Sequence, residues 1–331
     1  MPETPLYPLS FVPIHQYRLW GGRRLSEWSK IPLPGDGPIG ESWLLSDRDD
    51  QCSRVANGPL EGHTLRQLIE QAPDRVLGVL ARRFARFPLL LKFLDVRKML
   101  SVQVHPSDAK TDLIPTGETG KTEAWVILEA DPGSRVYAGL KSGVTADDLR
   151  SLSRRNVDES LASFAPAAGQ GVLVAAGTVH SLGDGVVVFE VQENSDVTFR
   201  LYDWDHTDPK TGEARPLQVE QALACVDFAR GVIQPAEPVA EEHASGPRER
   251  VLNCAYFTLW RVRSAAPFFV GADDEPRILV CLDGKGLIEY QDTGFDTERG
   301  AVTLLPACLG VCRLRPEGEI TVLEIAVPRQ P

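Results

Sequence analysis

Apolar and polar residues alternate over many short stretches of the chain, and turns rich in Gly and Pro separate these stretches. Alternation with a period of two is typical of strands that bury one face, and turns at close spacing indicate a sandwich or barrel. The pattern therefore predicts a mainly all-β protein with a few short helices.

Helical spacing of apolar residues is clear between Thr64 and Phe87, where Thr64 is a candidate N-cap. Pro73 is expected to divide this region into two helices. A further helical segment is expected at residues 145–164, with Thr145 as its cap, and a short helix in RPLQVEQALACVDF.

Polar side chains recur at every second position of two predicted strands in the stretch LSVQVHPSDAKTDLIPTGETGKTEAW, residues 100–125. An amide, an imidazole, an ammonium and a carboxylate that face inward need a partner, and a divalent metal suits them. Two half-exposed strands with their polar faces in water are the alternative. The first strand is expected to place Leu100, Val102 and Val104 on one side and Ser101, Gln103 and His105 on the other, while Lys121, Glu123 and Trp125 share a face of the second.

A second informative stretch, residues 171–205, contains three strand runs separated by turns, and it adds further inward polar groups. Two histidines and a carboxylate on strands of one barrel indicate a site for zinc or iron, with an amide oxygen in a fourth place. Cations beside it indicate an anionic or hydroxylated substrate, although Arg200 could instead pair with Asp196, Asp203 or Asp205. The predicted inward set is Gln103, His105, Lys121, Glu123, His180, Glu190 and Arg200.

Composition narrows the classes of partner. The chain has 331 residues and a formal net charge of −11, which argues against nonspecific binding to nucleic acid or an anionic membrane. The six cysteines are scattered, which indicates reduced thiols in a cytoplasm. The N-terminal residues lack a basic segment followed by an apolar run, so no signal peptide is expected.

A segment rich in Pro and small residues, residues 236–250, is predicted to be a linker. Residues 1–235 contain the candidate ligands and the helical segments, and we expect a catalytic metal-binding domain of the cupin jelly-roll type there. Residues 251–331 consist of short strands without histidine, so a separate domain without metal is expected there. Within it DGKG, residues 283–286, has the composition of a hairpin turn.

Several blocks occur along the chain in a characteristic order: LWGGRRL, IGESWLLSD, LLLKFLDVRKMLSVQVHPSD, GKTEAW, AAGTVHSLGDG, SDVTFRLYDWD and RPLQVEQAL. In these blocks the chain resembles the type I mannose-6-phosphate isomerases, also called phosphomannose isomerases, of the shorter bacterial form. The resemblance runs from about Tyr17 to the C-terminus.

The resemblance implies two cupin jelly-roll barrels, with one Zn²⁺ per chain bound only in the first barrel. The C-terminal part, which lacks histidine, agrees with this expectation. By resemblance, the functional positions are His105, Glu123 and His180 as zinc ligands, Gln103 as a fourth ligand, Arg200 as the active-site arginine and Lys121 as the lysine two residues before the ligand glutamate.

The implied reaction is the interconversion of mannose 6-phosphate and fructose 6-phosphate by a cytoplasmic monomer or homodimer. A proton would move between C1 and C2 through a cis-enediol, with the metal as Lewis acid. Glu190, Lys121 and a water on the metal are candidates for the proton transfer, and the choice stays open. Two other classes also stay open, namely a cupin oxygenase with Fe(II) on the same ligands and a sugar-binding cupin without turnover.

Overall fold

The computed structural model describes residues 5–242 and 246–329, and β-strands dominate the regular structure in these ranges. The strands form sheets of six, five, seven and four strands and a two-stranded ribbon. The prediction of a mainly all-β fold is therefore confirmed, and the large sheets pair into two cupin-type jelly-roll barrels. Residues 243–245 of the predicted linker lie outside the described ranges.

The strands of the first half are β1 (Leu9–Ser10), β2 (Ile14–Gly22), β3 (Ile39–Leu45), β4 (Asp47–Arg48), β5 (Gln51–Cys52), β6 (Leu89–Val96), β7 (Val102–Val104), β8 (Glu123–Ala130), β9 (Arg135–Leu140), β10 (Leu161–Phe164), β11 (Gly171–Val174), β12 (His180–Gly183), β13 (Val186–Glu193) and β14 (Phe199–Tyr202). Those of the second half are β15 (Val239–Glu241), β16 (Arg248–Asn253), β17 (Thr258–Ser264), β18 (Phe268–Gly271), β19 (Arg277–Asp283), β20 (Lys285–Tyr290), β21 (Thr293–Glu298), β22 (Val302–Leu305), β23 (Val311–Pro316) and β24 (Ile320–Ala326). The α-helices are α1 (Leu65–Gln71), α2 (Pro73–Leu77), α3 (Ala146–Arg150), α4 (Val157–Ser160) and α5 (Val219–Cys225), and 3₁₀ helices span Arg24–Glu27, Gly58–Leu60, Gly78–Arg82 and Ala307–Leu309.

The first barrel pairs a six-stranded sheet, in the order β11-β8-β13-β6-β2-β3, with a five-stranded sheet, in the order β10-β9-β12-β7-β14. An apolar cluster lies between the two sheets. It includes Leu94 and Val188 from the first sheet and Val136 and Leu182 from the second. This cluster gives the first barrel an apolar interior of its own.

Strand alternation makes the six-stranded sheet apolar on its outer face and charged on part of its inner face. On β6, Phe93 packs outward while Lys92 lines the interior, and on β13, Phe189 packs outward while Glu190 lines the interior. The register places Glu190 opposite Lys92. The interior is therefore apolar around its cluster and charged further along the same strands, where the candidate site lies.

Strand β7 confirms most of the predicted alternation. Val102 and Val104 pack outward against the helices, and Gln103 lines the interior. Leu100 was predicted to share the outward side, and this is wrong, because it packs in the inner cluster. The strand begins only at Val102, and before it the chain bends so that Leu100 O accepts from Trp204 Nε1.

The second barrel pairs a seven-stranded sheet, β1-β22-β19-β24-β17-β16-β15, with a four-stranded sheet, β18-β23-β20-β21. One large apolar cluster extends from this barrel to the outer face of the six-stranded sheet, and it includes Phe257 and Leu279 as well as Phe93 and Phe189. Strand β1, from the start of the chain, pairs with β22 of the second barrel. The two barrels therefore share a hydrophobic core.

Two segments of the second half have a structure that the sequence pattern did not predict. The prediction that DGKG closes a hairpin is wrong, because β19 and β20 belong to different sheets. Gly284, with φ of +78°, turns the chain from one sheet to the other. Within the predicted linker, β15 pairs with β16 at the edge of the seven-stranded sheet.

The predicted helices are largely confirmed. Thr64 and Gln67 form a capping box on α1, Pro73 opens α2, and the segment RPLQVEQALACVDF contains α5. Thr145 caps α3, but residues 161–164 form β10 and not a helix, because β9 supplies their backbone partners. Across the described ranges, the helices fall short of the length and apolarity that a membrane span needs.

A fragment of residues 1–235 is expected to be insoluble or unfolded, because the outer face of the six-stranded sheet would expose Phe93 and Phe189 to water. Solubility and thermal unfolding of the fragment, measured beside the full chain with the same tag, check this expectation. A soluble fragment that unfolds cooperatively near the melting temperature of the full chain would contradict a shared core.

Candidate metal centre and active site

Three buried side chains from separate strands of the first barrel converge on one point. His105 follows β7, Glu123 opens β8 and His180 opens β12. Glu123 Oε2 lies 3.3 Å from His105 Nε2, and Glu123 Oε1 lies 3.4 Å from His180 Nε2. One ligand atom from each residue lies within 4.8 Å of the others, so the three can hold a metal ion together.

Backbone carbonyls hold the outer nitrogens of both imidazoles. His105 Nδ1 lies 2.8 Å from Val197 O, and His180 Nδ1 lies 2.9 Å from Thr178 O. Each Nδ1 therefore carries the proton and donates it, which leaves a lone pair on Nε2 toward Glu123. His105 Nε2 is buried and has no hydrogen-bond partner. A cation would satisfy such an acceptor, so this donor set fits a divalent metal.

Gln103, the predicted fourth ligand, lies beside this cluster. Its Nε2 is 3.2 Å from His180 Nε2, and its Oε1 accepts from Ser101 Oγ at 2.9 Å. A half-turn of the amide would bring Oε1 to the cluster, while the serine hydroxyl would accept from the amide instead. Gln103 is therefore within reach of a shared ion, and its role as a ligand stays a prediction.

Burial and Lys121 determine the charges of the cluster. Burial lowers the pKa of His105 to about 3, with a further contribution from Lys121, and burial also lowers the pKa of His180. Burial alone would raise the pKa of Glu123, but Lys121, whose Nζ lies 2.9 Å from Glu123 Oε2, holds this pKa well below its ordinary value. At neutral pH the cluster offers two neutral imidazoles and a carboxylate, which are the forms that bind metals.

Glu190, a predicted catalytic residue, faces the same cavity from β13. Its Oε2 accepts a hydrogen bond from Trp125 Nε1 at 2.9 Å, and its Oε1 lies 3.5 Å from Lys92 Nζ. Burial and the charge of Glu123 raise the pKa of Glu190 to about 7, against the opposite effect of Lys92. A carboxyl group with this pKa can accept and release a proton near neutrality.

A charged network behind Glu190 was not found by the sequence analysis. Lys92 Nζ lies 3.9 Å from Glu41 and 3.7 Å from Asp196, and Arg18 binds Glu41 through two nitrogens at 2.9 and 3.0 Å. Burial would raise the pKa of Glu41, but Lys92 and Arg18 lower it to about 2. The lone lysine in the apolar run LLLKFL is the signal that could have revealed the network, because a buried ammonium needs a partner.

Arg200 on β14 lines the cavity, and its Nε is buried without a hydrogen-bond partner. Burial and the positive charge of Arg215 lower the pKa of Arg200. Asp203 accepts two hydrogen bonds from Arg215. Within the described ranges, no ion pair of 4.0 Å or less joins Arg200 to Asp196, Asp203 or Asp205.

The predicted residues line a cavity of about 390 Å³, whose walls include Gln103, Lys121, Glu123, Glu190 and Arg200. A second cavity of about 650 Å³ borders the first at Asp196, which lines both. The structure thus gathers the predicted polar groups in and beneath the smaller cavity.

Sequence and fold both connect the chain to known proteins. The profile described as "Phosphomannose isomerase type I, catalytic domain" matches residues 9–132. Mannose-6-phosphate isomerase ManA from Bacillus subtilis is 32% identical over 319 residues, which is 95% of this chain and 98% of that protein. The crystal structure of the mannose 6-phosphate isomerase from Bacillus subtilis has a TM-score of 0.86 at 28% identity and covers 96% of this chain and 99% of that chain. A variant of phosphomannose isomerase from Salmonella typhimurium, with a TM-score of 0.77 at 17% identity over 97% of this chain and 99% of that chain, supports the fold alone.

Metal analysis of the purified protein is expected to give a single divalent ion per chain, and His180→Ala should lose it. The variant should stay folded, because the apolar cluster of the barrel does not include His180. His63→Ala is the matched control, since this half-buried histidine binds Leu60 O outside the cavity and should leave the metal content unchanged. Full metal retention in His180→Ala, or two ions per chain, would overturn the assignment.

Proposed function

The chain belongs to the type I mannose-6-phosphate isomerase family of enzymes, and we propose that it interconverts mannose 6-phosphate and fructose 6-phosphate through a cis-enediol. The observation that carries this proposal is the buried cluster of His105, Glu123 and His180 beside Glu190 at one cavity. Ligands for a Lewis acid and a carboxyl group with a pKa near neutrality are two parts that together suit proton abstraction next to a carbonyl.

His105, Glu123 and His180 are the proposed metal ligands, with Gln103 as the fourth and Zn²⁺ as the ion. Imidazole nitrogens with carboxylate and amide oxygens are donors that suit zinc. When bound, the ion supplies Lewis-acid chemistry that polarises the sugar carbonyl.

Glu190 is the proposed proton carrier between C1 and C2. Its Oε2 accepts a hydrogen bond from Trp125, so Oε1, which lies 3.5 Å from Lys92 Nζ, is the oxygen proposed to take and return the proton. Lys121 is the other side chain that the sequence suggested, but its Nζ is engaged 2.9 Å from Glu123 Oε2. We therefore assign Lys121 to holding the sugar oxygens rather than to proton transfer.

Arg200 is proposed to bind the substrate or its enediolate directly. Its guanidinium lines the cavity, and the neighbouring carboxylate of Asp203 is already bound by Arg215. A planar guanidinium can give two parallel hydrogen bonds to an anionic group. This geometry supports a role of Arg200 in neutralising substrate charge.

The first part of the chain, residues 1–235, is proposed to carry the reaction, and residues 251–331 to serve as a packing domain without metal. We also propose a cytoplasmic enzyme that acts as a monomer or homodimer and binds neither nucleic acid nor membrane. All six cysteines are free thiols, which is typical of a reducing compartment, and the net charge of −11 disfavours polyanionic partners.

The reaction in D₂O is the test of the proposed chemistry. A carboxyl base that holds the proton during the lifetime of the enediol exchanges it with solvent on some turnovers, so deuterium should appear at C1 of fructose 6-phosphate or C2 of mannose 6-phosphate. Mass spectrometry and NMR of the sugars measure the label, with protein lacking metal as the control. Absence of solvent label over many turnovers, with full transfer of a deuteron from C2 to C1, would replace the enediol by a hydride shift.

Substitution Arg200→Lys is expected to lower kcat/KM by roughly 100-fold or more with little change in melting temperature, because an ammonium cannot copy the planar donor pair of a guanidinium. Steady-state kinetics and thermal unfolding measure the two effects. Arg215→Lys is the control, since Arg215 is engaged by Asp203, and it should affect stability more than turnover. Wild-type turnover in Arg200→Lys would remove Arg200 from the reaction.

A further inference from the structure

Glu193, the last residue of β13, has no role in the mechanism proposed above, although it is only 5% exposed. Alternation turns its side chain to the face of the sheet opposite that of Glu190. Glu193 Oε2 accepts a hydrogen bond from Thr122 N at 2.7 Å, and Glu193 N donates to Thr122 O at 3.1 Å. One residue therefore satisfies both backbone groups of Thr122.

The carboxyl group of Glu193 replaces a backbone acceptor. Gln192 lies opposite Glu123 in the register of β13 and β8, so the next pair is Glu193 and Thr122. In a regular antiparallel pair Thr122 N would donate to Glu193 O. Here Glu193 O instead accepts from Ser195 N at 2.7 Å, in the turn that ends β13. The side chain takes over the bond that this reversal of the chain removes.

Thr122 holds a central position behind the metal centre. It lies between Lys121 and Glu123, whose side chains both line the cavity. Thr122 Oγ1 also accepts from Ala176 N at 3.3 Å, in the segment that leads to His180. The orientation of the Thr122 peptide units therefore sets the directions in which Lys121 and Glu123 leave the backbone.

We propose that Glu193 is a positioning residue of the metal centre, which holds Thr122 from behind and so aims Glu123 at the two histidines. The inference rests on the metal-binding role proposed for Glu123, and it does not depend on which sugar is the substrate. Without Glu193, the buried Thr122 N–H loses its acceptor. The start of β8, which follows Thr122, then shifts so that this N–H can reach another acceptor. A shift of the ligand carboxylate weakens the metal site before it unfolds the barrel.

Two variants provide matched controls for Glu193→Ala. Burial raises the pKa of Glu193 to about 8, so Glu193→Gln copies the largely uncharged group and keeps an acceptor oxygen. Glu324→Ala removes the same kind of bond in the second barrel, where the buried Glu324 Oε1 accepts from Gly271 N at 2.9 Å. The first control tests the hydrogen bond, and the second tests loss of a buried carboxyl group far from the metal.

The experiment measures Zn²⁺ affinity by competition with a chelator, together with melting temperature and kcat, in all of these variants. Glu193→Ala should weaken Zn²⁺ binding about 10- to 100-fold and lower kcat more than it changes KM, which is the usual size of effect for residues that orient metal ligands. The Zn²⁺ affinity and kcat of Glu193→Gln should stay within about threefold of the wild-type values. Glu324→Ala should lower the melting temperature and leave Zn²⁺ affinity unchanged.

Wild-type Zn²⁺ affinity and kcat in Glu193→Ala, with only a lower melting temperature, would show a purely structural role and overturn the inference. If Glu193→Ala does not fold, Glu193→Asp gives the same test, because its carboxylate is one methylene too short to reach Thr122 N. Unchanged Zn²⁺ affinity in Glu193→Asp would also overturn it. Weakened Zn²⁺ binding in a chain that never isomerises mannose 6-phosphate would support the positioning role and refute the proposed function.

Discussion

The ionised carboxylate of Glu123, buried where water cannot solvate it, is the constraint on which the arrangement of the first barrel depends. Removing such a charge from water is very unfavourable unless cations and hydrogen bonds replace the solvent. Lys121 provides one cation, and the two imidazole lone pairs that face the carboxylate complete a site for another. The backbone carbonyls behind both histidines keep those lone pairs in place. Much of the neighbouring polar structure can be understood as support for this one charge.

The charges around Glu190 show how the pKa of a carboxyl group in the same cavity can be raised to near neutral pH. Glu123 and burial favour its protonated form, while Lys92 favours its ionised form. Lys92 Nζ also lies 3.9 Å from Glu41, and the charge of Glu41 adds to the effects that raise the pKa of Glu190. The two carboxyl groups therefore differ in pKa within one barrel, since Glu123 has the Lys121 ammonium at 2.9 Å, while Glu190 has the anionic Glu123 nearby and Lys92 Nζ at 3.5 Å.

Alternation in the amino-acid sequence identified the inner faces of the strands near His105, Glu123 and His180 and indicated a candidate metal site, with two half-exposed strands as the alternative. The resemblance to the isomerase family assigned the three residues as ligands. The sequence did not reveal the role of Lys92, because β6 is buried on both faces and its apolar and polar residues do not alternate. Turn composition could not distinguish a hairpin from the crossing between sheets at DGKG, since both need a glycine with positive φ. The role of Glu193 depends on where the chain reverses after β13, and this is a property of the tertiary structure alone.

The distances along the chain between the proposed metal ligands have a consequence for the order in which the protein is assembled. His105, Glu123 and His180 come from strands in two different sheets, so no short nascent segment contains a preformed site. The six-stranded sheet that carries Glu123 also buries its outer face against the second barrel, which is synthesised after the first. Metal loading should therefore follow synthesis of the second barrel, and the ion would stabilise a fold that has already formed rather than direct its formation.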